Sequence, residues 1–406
     1  MAKATINQSK ESKNVNNNGG DLSDQKISEK MKNIQNKFEV CYNKLNMAMI
    51  ERSEEIKICL TSLIAGEHPL LIGPPGTAKS LLIDSLMKWI SSSKKFSALM
   101  GKFTTPEELF GTVDLVKLTH DRVYTRNTSG QLPECDLAFL DEIFLSSSAV
   151  LNTLLKVLNE RTWRNTCGTE IKIPLLMCLA AGNHFPQAGE LNALYDRFLM
   201  RKRVQPISSQ QGRKYLLFGQ TSHEVDFDPS EQITREEILS ARKLSLRMPW
   251  ADIAKNGLLT IWREINNAGI KVGDRRMFKT RNAIQAFAFM NGHSKVELKD
   301  LMISCHSLWE DPNEQPEKVL KIVAKIADPG IGQLKDIKDM YADLVNQYSN
   351  PNVKADVFEI YKKAEVLKKR LEKYMKENDE EDSAEVRTLL KEIESLVKET
   401  GKKFAE

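Results

Sequence analysis

The sequence predicts an α/β fold, in which helices flank a parallel sheet and regions made only of helices follow. Two short apolar runs, 68–72 and 136–140, each end in residues suited to chemistry rather than to packing. From Ser208 onward, apolar residues recur at three- and four-residue steps, the period of a helix that buries one face. We therefore expect an α/β core over 27–206, a helical lid-like domain over 207–328 and a C-terminal helical bundle or coiled-coil hairpin over 329–406.

The elements can be placed in order along the chain. Residues 27–65 have a helical period, and a short helix should start at Pro106, a residue favoured in the first helical turn. Three apolar stripes after Gly330 predict three amphipathic helices. The remaining β-prone segments predict strands at 68–72, 96–103, 136–141, 174–181 and 198–204, and hairpins that pair 113–118 with 122–126 and 162–165 with 169–173.

Composition excludes several classes of protein. The 406 residues suffice for two or three domains, and a net charge of +4 is too weak to indicate nucleic-acid binding by itself. No apolar stretch approaches the roughly 18 residues that cross a bilayer. Residues 1–26 are polar and lack the apolar core of a signal peptide, so we expect a disordered leader and a cytoplasmic protein. The six cysteines are scattered without a C-x-x-C pair, so we expect reduced thiols and no metal site built on them.

The loop after the first strand has the pattern of a phosphate-binding loop. Backbone N–H groups at a helix N-terminus converge on one point, where the helix dipole also favours an anion. Lys79 would contact the β- and γ-phosphates of a nucleotide, and the Ser80 hydroxyl would bind Mg²⁺. The strict motif requires Gly at position 78, and Ala is tolerated there if φ is negative. The expected nucleotide-binding residues are Gly73, Pro74, Pro75, Gly76, Thr77, Ala78, Lys79, Ser80 and Leu81.

A pair of carboxylates follows the apolar run 137–140. In a nucleotide-hydrolysing site, Asp141 would orient water on Mg²⁺ and Glu142 would polarise the attacking water. An acidic pair can also simply begin a helix, where the dipole favours it. The preceding run of Leu, Ala, Phe and Leu favours the tip of a buried strand, where parallel sheets bind ligands.

These motifs together resemble the MoxR family of AAA+ ATPases, in particular its RavA-like branch, which also carries Ala before the loop lysine. The resemblance covers about residues 27–326. Its two hairpins resemble the helix-2 insert and the pre-sensor-1 insert of that clade. The motifs that carry it are Gly73-Pro-Pro-Gly-Thr-Ala-Lys-Ser80, Phe139-Leu-Asp-Glu-Ile-Phe144, Leu151-Asn-Thr-Leu-Leu155, Asn159-Glu160-Arg161 and Ala193-Leu-Tyr-Asp-Arg-Phe198.

The resemblance implies further site residues. Asn183, at the end of the fourth strand, would be sensor 1, which helps to hold the attacking water; a turn residue at a strand end is the alternative. Arg197 would be the arginine finger that completes a neighbouring subunit's site, and a surface Arg paired with Asp196 is the alternative. Arg275 would be the lid's sensor 2, in contact with the γ-phosphate, and Arg276 is the second candidate.

The resemblance also implies a function. It implies an ATPase that uses ATP and Mg²⁺, assembles into a homo-oligomeric ring, most often a hexamer, and remodels a client protein together with a von Willebrand factor A domain partner. A nucleic-acid-stimulated motor is the first alternative, because ring helicases share the pre-sensor-1 hairpin, although this hairpin carries only Arg164 and Lys172 as clear cations. The basic run Arg201-Lys202-Arg203 could also touch nucleic acid, but alternate exposure on an edge strand or a subunit contact is the favoured interpretation. A non-hydrolysing, nucleotide-gated scaffold is the second alternative.

Overall fold

The computed structural model describes residues 18–165, 168–185, 192–219, 225–349, 357–377 and 384–405. The first helix begins at Asn18, so the predicted disordered leader over 1–26 is wrong for residues 18–26, and its first seventeen residues lie outside the described chain. No proline interrupts the sequence from Asn18 to Ala48. Extending an existing helix is much easier than starting one, which agrees with a single helix over this range.

Within the described residues the chain forms seven strands and fourteen α-helices, together with short 3₁₀ and π turns. The five strands predicted at 68–72, 96–103, 136–141, 174–181 and 198–204 all form, and the predicted helix at Pro106 is confirmed with a capping box between Thr105 and Glu108. The strands are β1 (Pro69–Ile72), β2 (Lys95–Leu99), β3 (Leu137–Asp141), β4 (Thr162–Arg164), β5 (Glu170–Lys172), β6 (Met177–Gly182) and β7 (Met200–Arg203). The helices are α1 (Asn18–Ala48), α2 (Ser53–Ala65), α3 (Lys79–Trp89), α4 (Pro106–Phe110), α5 (Ser148–Glu160), α6 (Asn192–Tyr195), α7 (Gln210–Phe218), α8 (Arg235–Leu246), α9 (Asp252–Asn267), α10 (Asp274–Met290), α11 (Gln315–Ala327), α12 (Pro329–Ser349), α13 (Val357–Glu377) and α14 (Ala384–Ala405).

Five strands form one parallel sheet in the order β2-β3-β6-β1-β7. The three central strands, β3, β6 and β1, are buried almost throughout, as strands covered by helices on both faces must be. The register pairs Ile72 with Gly182 and Leu99 with Asp141, so the carboxyl ends of these strands lie along one edge. This edge carries the residues to which the sequence assigned chemistry.

The two predicted inserts have different outcomes. β4 and β5 form the predicted antiparallel hairpin over 162–173, with Trp163 opposite Ile171. The hairpin predicted over 113–126 is wrong, because only one bridge, between Val113 and Arg126, joins its arms, and residues 117–121 form a π-helix. Asp114 explains the difference, since its carboxylate accepts a hydrogen bond from the Lys117 N–H and its carbonyl accepts one from the Leu118 N–H.

The helices after β7 pack directly on the α/β core. α10 packs against α2 and α8, and α8 also contacts α2. One continuous apolar core joins the sheet to these helices and includes the edge-to-face pair of Phe38 and Trp89, whose ring centroids are 5.1 Å apart. The lid-like helices are therefore held to the core by apolar packing and not by a linker alone.

The last three helices have a second apolar core of their own. α13 lies at its centre and packs against both α12 and α14. All three predicted C-terminal stripes supply buried residues to this core, as Leu344, Leu367 and Ile393 illustrate.

Two further predictions concern composition. No described helix is long and apolar enough to cross a membrane. Five of the six cysteines are buried free thiols, and Cys167 lies outside the described residues. Burial raises the thiol pKa of Cys41, Cys59 and Cys178 well above the ordinary value, so these side chains behave as apolar packing groups.

Candidate nucleotide site

The phosphate loop runs from the end of β1 to the start of α3. Its first residue, Gly73, donates its N–H to the Gly182 carbonyl of β6 at 3.1 Å. A Cβ atom at Gly73 would lie 2.2 Å from the Val204 carbonyl oxygen, so only Gly fits between β6 and the chain after β7. The loop is therefore fixed to the sheet on both sides at its first residue.

Ala78 corrects one sequence expectation. Its φ is +62°, in the left-handed region, whereas the sequence argument required a negative φ. Gly76 also has a positive φ, of +78°. A non-glycine residue costs roughly 1–2 kcal/mol in this conformation. The Ala78 carbonyl accepts the first hydrogen bond of α3, from Leu82 N–H at 3.1 Å, so the strained residue sets the direction in which the helix begins.

Lys79 lies in the centre of the loop. Its ammonium donates to the Gly73 carbonyl at 2.7 Å and to the Pro74 carbonyl at 3.0 Å, and lies 3.5 Å from Asn183 Oδ1. Only 8% of the residue is exposed. Burial lowers the pKa of Lys79 from its ordinary value, while the nearby Asp141 and Glu142 carboxylates oppose that shift. The cation is thus held by weak neutral acceptors, which a phosphate group can replace.

Ser80 and Asp141 are brought together as the sequence predicted. The Ser80 hydroxyl lies 3.4 Å from Asp141 Oδ2, one on α3 and one at the tip of β3. The described residues include no cluster of three or more His, Cys, Asp or Glu side chains able to hold a metal ion. A hydroxyl beside one carboxylate fits Mg²⁺, which usually takes its other ligands from water and nucleotide phosphates.

Glu142 and Asn183 form the most specific contact of the site. The Asn183 backbone N–H donates to Glu142 Oε2 at 3.2 Å, and the Asn183 side-chain amide donates to Glu142 Oε1. Glu142 has a φ of +50°, which turns its side chain away from the strand direction toward the neighbouring strand tip. Asn183 also lies next to the Lys79 ammonium, so these three residues from three different elements converge.

A cleft of about 610 Å³ lies beside the loop. The loop residues form one wall, the end of α1 and the start of α2 form another, and α7 with the chain before it closes the third. Leu81, predicted from sequence to contact the nucleotide, lines this cleft, as do Met49 and Leu216. A volume of this size with mainly apolar walls suits a base and ribose next to the phosphate loop.

Arg52 is a site residue that sequence reasoning missed. It is 5% exposed, and its guanidinium donates to the Thr77 carbonyl at 3.0 Å and to the Gln205 carbonyl at 2.9 Å. It thereby ties the phosphate loop to the segment after β7. A lone Arg in a turn between two helices carries no local signal, because its partners are 25 and 153 residues away.

Arg197, Arg275 and Arg276 lie together in a second cleft of about 160 Å³. Arg197 lies 3.7 Å from the Asp196 carboxylate, which is the pair that the sequence analysis gave as the alternative to a finger. Its Nε–H is buried and has no acceptor within the described part of the chain. The exposed Arg275 contacts the Asn159 side chain of α5.

Arg276 has a different environment from Arg275. It is 6% exposed and donates to the Leu199 and Ser307 carbonyls at 3.2 and 2.9 Å and to the Asp196 carboxylate at 2.7 Å. Its hydrogen bonds therefore join α10 to the turn before β7. This side chain is a structural tie between the lid helices and the core.

The basic run 201–203 is not one surface. Arg201 is 1% exposed and stacks over the Tyr195 ring at 3.8 Å, while Lys202 pairs with Glu54 and only Arg203 is exposed. Burial lowers the pKa of Arg201 to about 10, and its guanidinium donates to the Phe198, Tyr195 and Trp309 carbonyls. The run lies on the edge strand β7, as one of the sequence interpretations proposed.

Comparison with known families identifies both main parts of the chain. Residues 36–243 match the MoxR domain of MoxR–vWA–β-propeller ternary systems, and residues 255–323 match an AAA lid domain. The first match covers the sheet, the phosphate loop, Glu142, Asn183 and Arg197, and the second covers Arg275 and Arg276.

Individual relatives agree with these matches. Two uncharacterized proteins of Methanocaldococcus jannaschii are 36% and 35% identical over 80% of this chain, and the matches cover 86% and 83% of those proteins. A structural protein of Acidianus two-tailed virus is 37% identical over 44% of this chain and 29% of its own length. The crystal structure of a candidate ATPase from Cytophaga hutchinsonii shares the fold, with a TM-score of 0.59 at 16% identity, over 76% of this chain and 98% of that one. The chain belongs to the MoxR family of AAA+ proteins.

Proposed function

We propose that this protein is a Mg²⁺-dependent ATPase that acts as a homo-oligomeric ring, a hexamer, and couples ATP hydrolysis to the remodelling of a partner protein. The observation that carries the proposal is the convergence of Lys79, Glu142 and Asn183 at the carboxyl ends of three adjacent strands. A phosphate-binding cation and a carboxylate held by an amide are the two groups that hydrolysis of a terminal phosphate requires.

Each residue has a defined role in the proposed reaction. The loop N–H groups and Lys79 bind the phosphates, replacing the carbonyl contacts that Lys79 makes in their absence. Ser80 and Asp141 would hold Mg²⁺, directly or through water, and the ion would neutralise charge on the phosphate oxygens. Glu142 orients and polarises the attacking water, and Asn183 fixes the Glu142 carboxylate in position.

A second subunit would supply the missing cations. Arg197 and Arg275 share the second cleft. A guanidinium presented there to a neighbour's γ-phosphate would stabilise charge in the transition state. We therefore assign Arg197 as the finger and Arg275 as the lid sensor, both acting on the adjacent subunit.

The partner is proposed from the family. Residues 36–243 match the MoxR domain of MoxR–vWA–β-propeller systems, so we propose a partner that carries a von Willebrand factor A domain and a client protein remodelled by the complex. The Ala before the loop lysine leads us to place the chain near the RavA-like branch.

Mixing two inactive variants tests the shared site. Lys79→Ala lacks the phosphate cation and Arg197→Ala lacks the finger, so each alone should hydrolyse ATP at under a hundredth of the wild-type rate. In an equimolar mixed ring about one site in four combines an intact Lys79 with an intact Arg197, so turnover should recover to about a quarter. The measurement is phosphate release per subunit at fixed total protein.

Two outcomes would contradict this proposal. Turnover that survives Arg197→Ala, or a mixture no more active than its parts, would mean that each subunit is self-sufficient. Glu142→Gln serves as the control, because it keeps the size of the side chain and one acceptor for Asn183 while lowering turnover about 100-fold or more, with ATP still bound. Unchanged turnover in that variant would favour a nucleotide-gated scaffold instead, and turnover stimulated by DNA or RNA would favour a nucleic-acid motor.

A further inference from the structure

The C-terminal unit α12–α14 has an open groove between α12 and α13. The groove has a volume of about 350 Å³ and lies beyond both family matches, which end at residue 323. Leu344 and Leu367 are buried at its floor, whereas Met340 and Val366 are 46% and 57% exposed along it. The groove thus presents two exposed apolar side chains above a buried apolar floor.

Cations border the apolar strip. Lys362, Lys363 and Arg370 on α13 line the groove, with Asp343 of α12 as the one carboxylate among its lining residues. Within the described residues neither Lys362 nor Arg370 pairs with a carboxylate: Lys362 Nζ lies 4.2 Å from the centre of the Phe358 ring, and Arg370 donates to the Met340 sulfur at 3.6 Å.

On the opposite side of α13, a cation does pair with a carboxylate. There Lys368 pairs with Glu394 of α14 at 2.8 Å, so a cation at a closed helix interface has an acidic partner. In the described part of the chain, Lys362 and Arg370 therefore lack the acidic partner that Lys368 has. An acidic segment placed in the groove would supply it.

We propose that this groove binds an amphipathic helix of a partner protein, whose apolar face covers Met340 and Val366 and whose flanks carry Asp or Glu. The groove lies between two helices, so a third helix beside them would complete a four-helix arrangement. Lys362 and Arg370 are eight residues apart, or about 12 Å along the helix axis, which matches acidic residues about two turns apart on the bound helix.

Charge also favours a partner over a second copy of this chain. In a two-fold symmetric contact the same face meets itself, which would bring the Lys362 and Arg370 cations of both copies together. Such a like-charge contact disfavours self-association through this face. The site is distinct from the nucleotide site, so the inference does not depend on ATP hydrolysis.

Fluorescence anisotropy with the full chain tests the proposal. The probes are labelled synthetic helical peptides with one fixed apolar face, whose flanking positions are all Glu, all Gln or all Lys. We expect the Glu peptides to bind at least about tenfold more tightly than the Lys peptides, with affinity falling as salt increases. Val366→Asp and Arg370→Glu should each weaken binding of the Glu peptides about tenfold or more.

Matched controls separate the groove from general surface effects. Ile253→Asp changes an exposed apolar residue on α9, and Lys391→Glu changes an exposed cation on α14; neither should alter peptide binding. All four variants should keep wild-type helix content and basal ATP turnover. The proposal is wrong if Lys peptides bind as tightly as Glu peptides, if no peptide binds, or if binding survives both groove substitutions. It is also wrong if sedimentation shows that Val366→Asp abolishes self-association of the chain, because a second copy would then occupy the groove.

Discussion

Ala78 shows how one residue can carry the strain of a phosphate loop. Its left-handed backbone places Lys79 at the first turn of α3, directly below the strand tips. The sequence shows the departure from Gly but not its conformation, because φ depends on how the loop is fixed by Gly73 and Arg52. Ala78 thus adopts a backbone conformation that favours glycine at the position that sets the direction of α3.

Ala78→Gly should therefore leave the protein as stable or slightly more stable, by up to about 1 kcal/mol. Relief of the left-handed strain, roughly 1–2 kcal/mol, is offset in part by the greater freedom of Gly in the unfolded chain. Ala78→Val should destabilise the protein by about 2 kcal/mol, because a β-branched residue fits this backbone poorly. Thermal unfolding without nucleotide measures both effects.

Gly76→Ala is the matched control for this prediction. Gly76 has a similar φ of +78° and nothing within 4 Å of an added Cβ, so the only cost is conformational and stability should fall by about 1 kcal/mol. If Ala78→Gly destabilised the loop as much as Gly76→Ala does, then position 78 would not be in the left-handed region.

How much of the site can be predicted from sequence depends on whether a residue's role follows from its neighbours in sequence or from distant contacts. Asp141, Glu142 and Asn183 follow the ends of apolar strands, and Lys79 and Ser80 follow another such strand across the phosphate loop, so their convergence follows once the strands are known to be parallel. Arg52 could not be found this way, because its role exists only through backbone carbonyls that are distant in sequence.

At the scale of elements, α10 shows why two adjacent arginines are not equivalent. Successive helix residues point in directions about 100° apart, so Arg276 enters the interface with the core while Arg275 remains at the surface. From sequence the lid sensor could be either residue. Their burial separates a structural role from one that could serve a neighbouring subunit.

Arg276→Ala should destabilise the protein by about 1–3 kcal/mol, because the buried Leu199 and Ser307 carbonyls lose their donor and the Asp196 carboxylate loses its closest cation. Arg275→Ala should change stability by less than about 0.5 kcal/mol, as is usual for an exposed side chain. It should nevertheless lower ATP turnover at least about tenfold if it serves the adjacent site. Melting temperature and phosphate release, measured on both variants, distinguish the two roles.

The reverse pattern would overturn this assignment. If Arg276→Ala kept its melting temperature and lost turnover, while Arg275→Ala kept both, then Arg276 would be the sensor and its contacts with the core would be exchanged during the cycle. Arg276→Lys is a useful intermediate, because it keeps the charge near Asp196 and loses the forked contact with two carbonyls.

Other elements mark the limits of reasoning from local sequence. The segment 113–126 contains β-forming residues on both sides of His120-Asp121, yet the short-range contacts of Asp114 favour a helical turn. The run 201–203 lies on the edge strand β7, as one sequence interpretation proposed, but the sequence does not show that Tyr195 and Trp309 surround Arg201 or that three carbonyls accept its donors. The wrong hairpin prediction and the unpredicted partners of Arg201 both arise from contacts that only the folded chain creates.

At the scale of the whole molecule, the described residues form two separate apolar cores. One apolar core runs from α1 through the sheet into the lid helices, so a change at the phosphate loop can be transmitted to α10 through packed side chains. The α12–α14 unit has a separate core, which allows it to bind a partner without disturbing the nucleotide site.

The stability of the whole chain should also depend on pH through the buried His68 and the half-buried His306. His68 Nε2 lies 2.9 Å from the Leu158 carbonyl, and His68 Nδ1 accepts the Cys178 N–H at 3.0 Å, so the ring is neutral and joins α5 to β6. Burial lowers the pKa of His68 to about 3 and that of His306 to about 4. Both groups bind protons more readily in the unfolded chain, where the ordinary histidine pKa is about 6.5.

The contribution of these histidines to stability should therefore be constant above about pH 7 and fall as the pH drops through 6.5, since only the unfolded chain takes up these protons. His68 alone should contribute a slope of about 1.4 kcal/mol per pH unit below 6.5, continuing until the folded pKa is reached. Urea unfolding between about pH 5 and 8 isolates this effect, because most carboxylates titrate below that range. His68→Gln should be less stable at pH 8, through its lost hydrogen bonds, yet have a shallower slope than the wild type. His120→Gln, which changes an exposed histidine, should keep the wild-type slope, and an equally steep slope in His68→Gln would show that the buried ring does not control the acid sensitivity of this protein.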